Sequence, residues 1–317
     1  EPVRKRPGMY IGGTDDRALH HLASEVLDNA MDETVAGYAT RIDIRLEETG
    51  HLVISDNGRG IPVDPHPKFP DKSALEVIMT TLHSGGKFGG NAYSTSGGLH
   101  GVGASVVNAL AAEMTVEVAR NKSLYRQSFS RGKAIGKLEQ LGAVSNRRGT
   151  QVRFLPDPEI FGDHARLKPA VIYKLARSKA YLFAGVEIRW SCAPALTAKD
   201  PDIPDEATLS YPDGLKDFLV DTTSNHDVLI SQPFFDHVMI DGEKIEFAMT
   251  WFHDHEDGFV RSYCNTVPTP DGGTHEQGLR QAVVRGMRNY GDIAGLKKAA
   301  DLTVDDVMTQ IGCVLSI

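Results

Sequence analysis

Long apolar runs are missing from this 317-residue sequence. No stretch approaches the roughly 20 residues that span a bilayer. The opening Glu1-Pro2-Val3-Arg4-Lys5-Arg6-Pro7 has no apolar core of the kind a secretory signal needs, so no membrane role is expected. Cysteine is scarce: Cys192, Cys264 and Cys313 lie far apart. Such an odd, sparse set excludes a disulfide framework or a zinc site and suits a reducing cytosol. Positive charge is in deficit, with 34 Lys and Arg against 42 Asp and Glu and a net charge of −8. Bulk charge therefore cannot hold nucleic acid, because affinity for the phosphate backbone comes from Lys and Arg neutralising it. Two nucleotide motifs are absent as well. There is no Gly-x-x-x-x-Gly-Lys-Ser/Thr loop, and no Gly-x-Gly-x-x-Gly follows a strand.

Apolar residues make up 41% and charged residues 24%, which excludes a disordered chain. The length predicts about two domains. The absence of an initiator methionine and the final apolar run Val314–Ile317 read as a fragment or trimmed chain. Apolar periodicity predicts helices over 15–36, 73–83, 103–112 and 166–182. Strands are predicted at 40–47, 51–55, 114–119, 124–130, 150–155 and 185–190. Ala195–Asp213, rich in Pro, Asp and Ala, reads as a connection. Strands near 236–240, 245–252 and 260–266 and helices near 274–290 and 303–313 then make a second, smaller α/β unit. Hairpin-like strand runs among helices predict a mixed or antiparallel sheet covered by helices, an α+β arrangement.

Four groups of residues could carry chemistry. His21, Glu25, Asn29 and Glu33 are spaced by four and line one side of the first helix, beside its apolar face. A carboxylate there can act as a base on water, His can orient it and Asn can ligate a hard cation. A solvated helix flank, with Asp28 and Asp32 adding surface charge, explains the same spacing. Asp56-Asn57-Gly58-Arg59-Gly60-Ile61-Pro62 follows a strand. An aspartate at that place can accept from an exocyclic amine such as adenine's, although Asp-Asn-Gly is also ordinary turn chemistry. Seven glycines fall between Gly85 and Gly101, and Ser96-Gly97-Gly98-Leu99-His100-Gly101-Val102-Gly103 runs into an apolar helix. That arrangement fits a backbone anion cradle or a hinged lid, and a flexible surface loop is the plainer alternative. His253-Asp254-His255-Glu256-Asp257 looks like a metal cluster but reads as a solvated hairpin tip. Arg147-Arg148-Gly149-Thr150 alone reads as a charged turn.

In order and together, these motifs resemble the ATPase region of bacterial type II topoisomerase B subunits. That region belongs to the GHKL superfamily, with heat-shock chaperones, histidine kinases and MutL. The resemblance rests on Arg4–Gly12, Glu25–Glu33, Asp56–Pro62, Leu82–Phe88, Gly97–Gly103 and Gly272-Gly273-Thr274-His275. It implies a two-layer α/β sandwich binding ATP over residues 1–210. A smaller transducer domain of ribosomal protein S5-like fold, C-terminally incomplete, would occupy 211–317. It further implies that Glu25 is the general base held by His21, that Asn29 binds Mg²⁺, and that Asp56 accepts the adenine amine with Thr150 nearby through water. Arg59 would pair with Glu33 and pack under the adenine beside Gly60 and Ile61. Lys87, Tyr93 and the lid of Gly97, Gly98, Leu99, His100, Gly101, Val102 and Gly103 would surround the triphosphate. Arg126 and Pro62 would line the pocket mouth, where aminocoumarin inhibitors compete with ATP.

The implied partners are DNA through the full assembly, the topoisomerase A-type subunit, and a second B-type subunit when an N-terminal arm is present. The implied setting is the bacterial cytoplasm, at the nucleoid. The resemblance also includes an N-terminal arm and a Gln-Thr-Lys loop of the second domain, and neither motif matches a segment of this sequence. Glu1-Pro2-Val3, Gly13–Arg17, Asn265–Pro270 and Gly278–Gln281 look more like topoisomerase IV than gyrase. The implied work is ATP-driven dimer closure that gates strand passage, decatenation and relaxation. Alternatives are the negative supercoiling of gyrase, phosphotransfer of the histidine kinase type, a clamp that binds ATP without turnover, and a MutL-like or chaperone-like protein.

Overall fold

The computed structural model describes residues 2–82, 102–198, 200–241, 243–253 and 258–317. The chain divides into two compact units, Glu1–Ser210 and Tyr211–Ile317. Among the described residues no helix is long and apolar enough to cross a membrane. The three cysteines are free.

The first unit opens with two short helices, α1 (Pro2–Lys5) and α2 (Gly8–Ile11), and the long α3 (Asp16–Val35). Asp15 caps α3 by accepting from the Ala18 N–H at 2.9 Å. Leu19, Leu22, Ala23, Val26, Leu27, Ala30 and Met31 give α3 its buried side. Two strands follow, β1 (Arg41–Leu46) and β2 (Leu52–Asp56), then the small hairpin β3 (Pro65–His66) and β4 (Phe69–Ser73). Next come α4 (Ala74–Thr80) and α5 (Gly103–Ala109), then β5 (Ala111–Arg120), β6 (Ser123–Ser130), β7 (Lys133–Ala143) and β8 (Gly149–Pro156). The unit closes with α6 (Pro158–Phe161), α7 (Pro169–Leu182), β9 (Glu187–Cys192), α8 (Pro194–Thr197) and β10 (Glu206–Leu209).

Eight of these strands form one sheet in the order β10-β9-β1-β2-β8-β5-β6-β7. The β1–β9 pair is parallel, and the rest are antiparallel. Alternation along β1 sends Ile42, Ile44 and Leu46 into the core and leaves Arg45 exposed. Helices α3, α5 and α7 pack against the sheet, which yields an α+β layering of the expected kind.

Three local readings in this first unit need correction. The helix predicted to reach residue 112 stops at Ala109, and Ala111 already pairs with Pro156 in the sheet. Strand β7 was not foreseen, because as the outermost strand it is mostly exposed and lacks an apolar face. The predicted connection contains β10, an edge strand on β9.

The second unit carries α9 (Leu215–Thr222), β11 (Phe234–Ile240), β12 (Glu243–Trp251), β13 (Phe259–Cys264), β14 (Val267–Pro268), α10 (Thr274–Ala294), α11 (Val304–Met308) and β15 (Ile311–Ser316). Its sheet runs β11-β12-β15-β13-β14, with β13 and β15 parallel. The helix predicted over 303–313 is two elements. A capping box at Thr303 and Asp306 starts α11, and Ile311–Leu315 then becomes the central strand. A strand buried on both faces is a continuous apolar run, which periodicity does not separate from a buried helix. Met249, Val284, Val307, Met308, Ile311 and Cys313 form a core cluster here. Burial pushes the Cys313 thiol up to about 12 and the Cys192 thiol of the first unit up to about 11, so both remain unreactive thiols.

Leu22 on α3 is 0% exposed. Leu22→Ala is expected to lower the stability of the first unit by about 2–5 kcal/mol, read from its urea unfolding midpoint.

Candidate functional site

The site is built along one flank of α3. His21 Nε2 lies 3.3 Å from Glu25 Oε1, one turn apart. The other Glu25 oxygen faces the first residue of α5. A Cβ at Gly103 would overlap Glu25 Oε2, so the carboxylate rests on bare backbone. Eight residues further along α3, about 12 Å at 1.5 Å per residue, stands Glu33. It receives the Arg59 backbone N–H at 3.0 Å and two guanidinium bonds at 3.1 and 2.7 Å. Burial opposes its ionisation, but the bonds from Arg59 outweigh burial and hold the carboxyl below the usual range. The guanidinium also lies 3.7 Å from the centre of the Tyr38 ring.

Asp56 ends β2, and its neighbourhood is tight on two sides. A Cβ at Gly58 would sit 2.7 Å from Glu33 Oε2 and 2.8 Å from Asp56 Oδ1. Gly149 holds φ +102°, and a Cβ there would overlap the Asp56 carbonyl oxygen. Only glycine fits both needs. The Asp56 carboxylate accepts from the Gly58 N–H at 2.7 Å and from the Thr150 N–H. Thr150 then turns its hydroxyl to accept from the Ile61 N–H at 3.1 Å. Burial pushes the Asp56 carboxyl up to about 6; the two N–H bonds oppose that, and the Glu33 charge adds to it. Asn57 accepts from the Thr40 and Arg41 N–H groups, which ties the loop after β2 to the start of β1.

The structure thus forms two clusters on one flank of α3, His21, Glu25 and Gly103 in one and Glu33, Arg59, Asp56, Thr150 and Ile61 in the other, with Asn29 between them one turn beyond Glu25. Val102 precedes α5 and its carbonyl accepts from Ser105. Pro62 is exposed at the end of the Asp56 loop. Lys87, Tyr93, Gly97, Gly98, Leu99, His100 and Gly101 lie outside the described residues, and so do Asp254, His255, Glu256 and Asp257.

Arg126 joins neither cluster. Its guanidinium is held by Glu117 at 3.0 and 2.7 Å, and Arg147 takes the other oxygen of Glu117 at 2.8 Å. Arg120 stands at the loop instead and donates to the Gly60 carbonyl at 2.8 Å. It shares a 400 Å³ cavity with Arg59, Lys122, Arg147 and Arg148. Arg120 and Tyr38 were missed from sequence. The alternation of β5, with Val116 and Val118 buried, sets Glu117 on the opposite face but gave no signal for Arg120. Asp28 and Asp32 are not surface charges: Asp28 pairs with a buried lysine on α7, and Asp32 is 4% exposed.

Asn29 offers one hard oxygen donor on this flank. Among the described residues no group of three His, Cys, Asp or Glu could hold a metal. A single protein oxygen fits Mg²⁺, which keeps several waters and takes further ligands from bound phosphates.

The histidine kinase-, DNA gyrase B-, and HSP90-like ATPase family matches residues 14–160, and the DNA gyrase B family matches residues 214–317. The 43K ATPase domain of Thermus thermophilus gyrase B, solved in complex with an aminocoumarin, superposes with a TM-score of 0.81 at 38% identity. The match covers 99% of this chain and 80% of that one. The B-type subunit of DNA topoisomerase 4 from Caulobacter vibrioides is 55% identical over 100% of this chain. The B-type subunit of DNA gyrase from Thermus thermophilus is 43% identical, again over 100% of it. These fold and sequence matches define a class, the GHKL ATPases. Within that class, the chain belongs to the family of type II topoisomerase B-subunit ATPase regions. It spans about half the length of these curated relatives, 46% and 49%.

The raised Asp56 carboxyl predicts a pH effect on stability. The folded state holds its proton more tightly than the unfolded chain, so this contribution is full below about 4 and is lost as pH rises through about 6. Asp56→Asn removes that loss. Thermal melts are expected to show the variant gaining on the wild type between pH 4 and 7, and a constant difference would contradict the assignment.

Proposed function

We propose that this chain binds and hydrolyses ATP, and that it does so as the nucleotide-binding part of the B-type subunit of a topoisomerase IV. The observation that carries the reading is the placement of two carboxylates at opposite ends of one flank. Asp56, at the end of β2, accepts from backbone N–H groups beside Glu33 at one end, and Glu25 sits against Gly103 about 12 Å back along α3 from Glu33 at the other. Topoisomerase IV is favoured over gyrase because the identity is 55% to the one and 43% to the other.

Each residue then has a chemical task. The Asp56 carboxylate accepts from the exocyclic amine of adenine, and Thr150, already bonded to it, sets the neighbouring edge through water. Arg59, fixed by Glu33 and Tyr38, forms the floor beneath the base with Gly60 and Ile61. Arg120 and Pro62 stand at the mouth; aminocoumarins would compete with ATP there. The phosphates run along α3 toward Val102 and Gly103, with Lys87, Tyr93 and residues 97–101 as the remaining proposed contacts. Asn29 would hold Mg²⁺, which when bound neutralises phosphate charge. Glu25, oriented by His21, takes a proton from the attacking water as it aligns with the γ-phosphate. Positioning and charge stabilisation supply the rest of the rate.

In the whole protein this turnover would drive closure of two B-type subunits and gate DNA strand passage by the assembly with the A-type subunit, in the cytoplasm. The first unit would be the ATP-binding domain and the second the transducer. A phosphotransfer role of the histidine kinase type is disfavoured by Glu25 one turn before Asn29, which suits transfer to water.

Glu25→Ala is expected to leave the dissociation constant for a non-hydrolysable ATP analogue within about threefold and to cut phosphate release by at least ~100-fold. Retained hydrolysis removes Glu25 from the role of base. Asp56→Asn is expected to weaken nucleotide binding roughly 10- to 100-fold, the worth of a charge-assisted hydrogen bond. Because the amine needs an ionised acceptor and Asp56 titrates at about 6, wild-type affinity should fall about tenfold from pH 7 to pH 5. Calorimetric titration across that range checks it, and a flat profile rules Asp56 out as the adenine reader.

A further inference from the structure

The flank of α3 that carries Glu25 and Asn29 has a second polar row beside it. Ser24, Asp28 and Asp32 are spaced by four, each one residue before a member of the first row, which places them about 100° round the helix. This row faces α7. Lys179 on α7 is 3% exposed, and its Nζ lies 2.7 Å from Asp28 Oδ1, itself only 13% exposed. The other Asp28 oxygen accepts from the Ser24 hydroxyl at 3.3 Å. Nearer its start α3 is tied to the residue that precedes α7. The Lys168 N–H donates to His20 Nε2 at 2.8 Å, and Lys168 Nζ pairs with Asp16 at 2.9 Å. His20 in turn gives its Nδ1 proton to the Asp16 carbonyl, 2.7 Å away.

We propose that Lys179 and Asp28 are positioning residues that set the roll of α3 about its own axis, and so aim Glu25 and Asn29 at the triphosphate. A buried ion pair is poor evidence for stability, since well-packed apolar residues in its place are often neutral or better. What the pair provides is direction. Apolar ridges slide past one another over several degrees, whereas Asp28 cannot turn away from α7 without leaving two desolvated charges, now 2.7 Å apart, unpaired. Side-chain tips stand roughly 5–6 Å from a helix axis, so a roll of about 20° carries them by about 2 Å. Displacement on the scale of 1 Å is enough to cost about 100-fold in turnover. Asp28 and Asn29 are adjacent in sequence, so a pin at one fixes the other. The Lys168 tie lies about 12 Å nearer the start of α3, and the two ties together hold the helix against tilt as well as roll.

This inference rests on the ATP-hydrolysing reading above, and the test separates the two. The full chain carrying Asp28→Leu with Lys179→Met removes both charges at once and avoids a lone buried ion, which Lys179→Met alone would leave. A non-hydrolysable ATP analogue is titrated into both proteins by calorimetry, with and without Mg²⁺, alongside ATP turnover and a thermal melt. The double variant is expected to melt no lower than the wild type. It should bind the analogue without Mg²⁺ within about twofold of the wild type, because Asp56 and Thr150 are untouched. It should also lose at least fivefold of the Mg²⁺-dependent gain in affinity and at least tenfold in turnover. A stable double variant with the wild-type Mg²⁺ gain and turnover makes the pair merely structural and overturns the proposal. A wild type that binds no analogue overturns the ATP reading itself, and this inference with it.

Discussion

Acidic side chains pressed onto glycine backbone are the constraint on which the site depends. Glu25 lies on Gly103, Glu33 and Asp56 meet at Gly58, and the Asp56 peptide lies against Gly149. At each contact a methyl group would collide, so the sequence holds its carboxylates against bare backbone. The consequence is electrostatic. Asp56 is desolvated and rises to about 6, while Glu33, less deeply buried and gripped by Arg59 with three bonds, stays low. Two carboxylates in contact with one glycine thus take opposite roles, one a reader of hydrogen-bond donors and the other a fixed anion that orients an arginine.

The fold supplies the rigidity this needs. Helix α3 lies on the sheet by its apolar side and is tied to α7 by ion pairs, so its polar flank is presented at fixed height above β2 and β8. Asp56 and Thr150 come from neighbouring antiparallel strands whose register, Ser55 opposite Gln151, places their ends side by side. A site whose parts stand on a helix and on strand ends keeps its geometry better than one built on loops alone.

Much of this was legible in the sequence, for physical reasons. The four-residue spacing of His21, Glu25, Asn29 and Glu33 marks one helix flank whatever the fold, and Asp56-Asn57-Gly58 after an apolar strand marks a strand end. What escaped notice depends on tertiary pairing. Strand β7 has no buried face and so no period to detect. Ile311–Leu315 is apolar throughout because it is central in its sheet, which made it read as helix. The resemblance put Arg126 at the pocket mouth, and no local pattern reveals that Glu117 claims Arg126 while Arg120 reaches the Gly60 carbonyl. The pairing of Asp28 with Lys179 joins residues 151 positions apart, beyond any local pattern.

The central claim is that a nucleotide lies along α3 with its base at Asp56 and its phosphates at Asn29 and Glu25. The most direct measurement is a crystal structure of the chain with a non-hydrolysable ATP analogue and Mg²⁺. The account predicts the adenine amine within hydrogen-bond distance of the Asp56 carboxylate and a phosphate-bound Mg²⁺ on the Asn29 oxygen. An adenine seated away from Asp56, or phosphates directed away from the flank of Glu25 and Asn29, contradicts it.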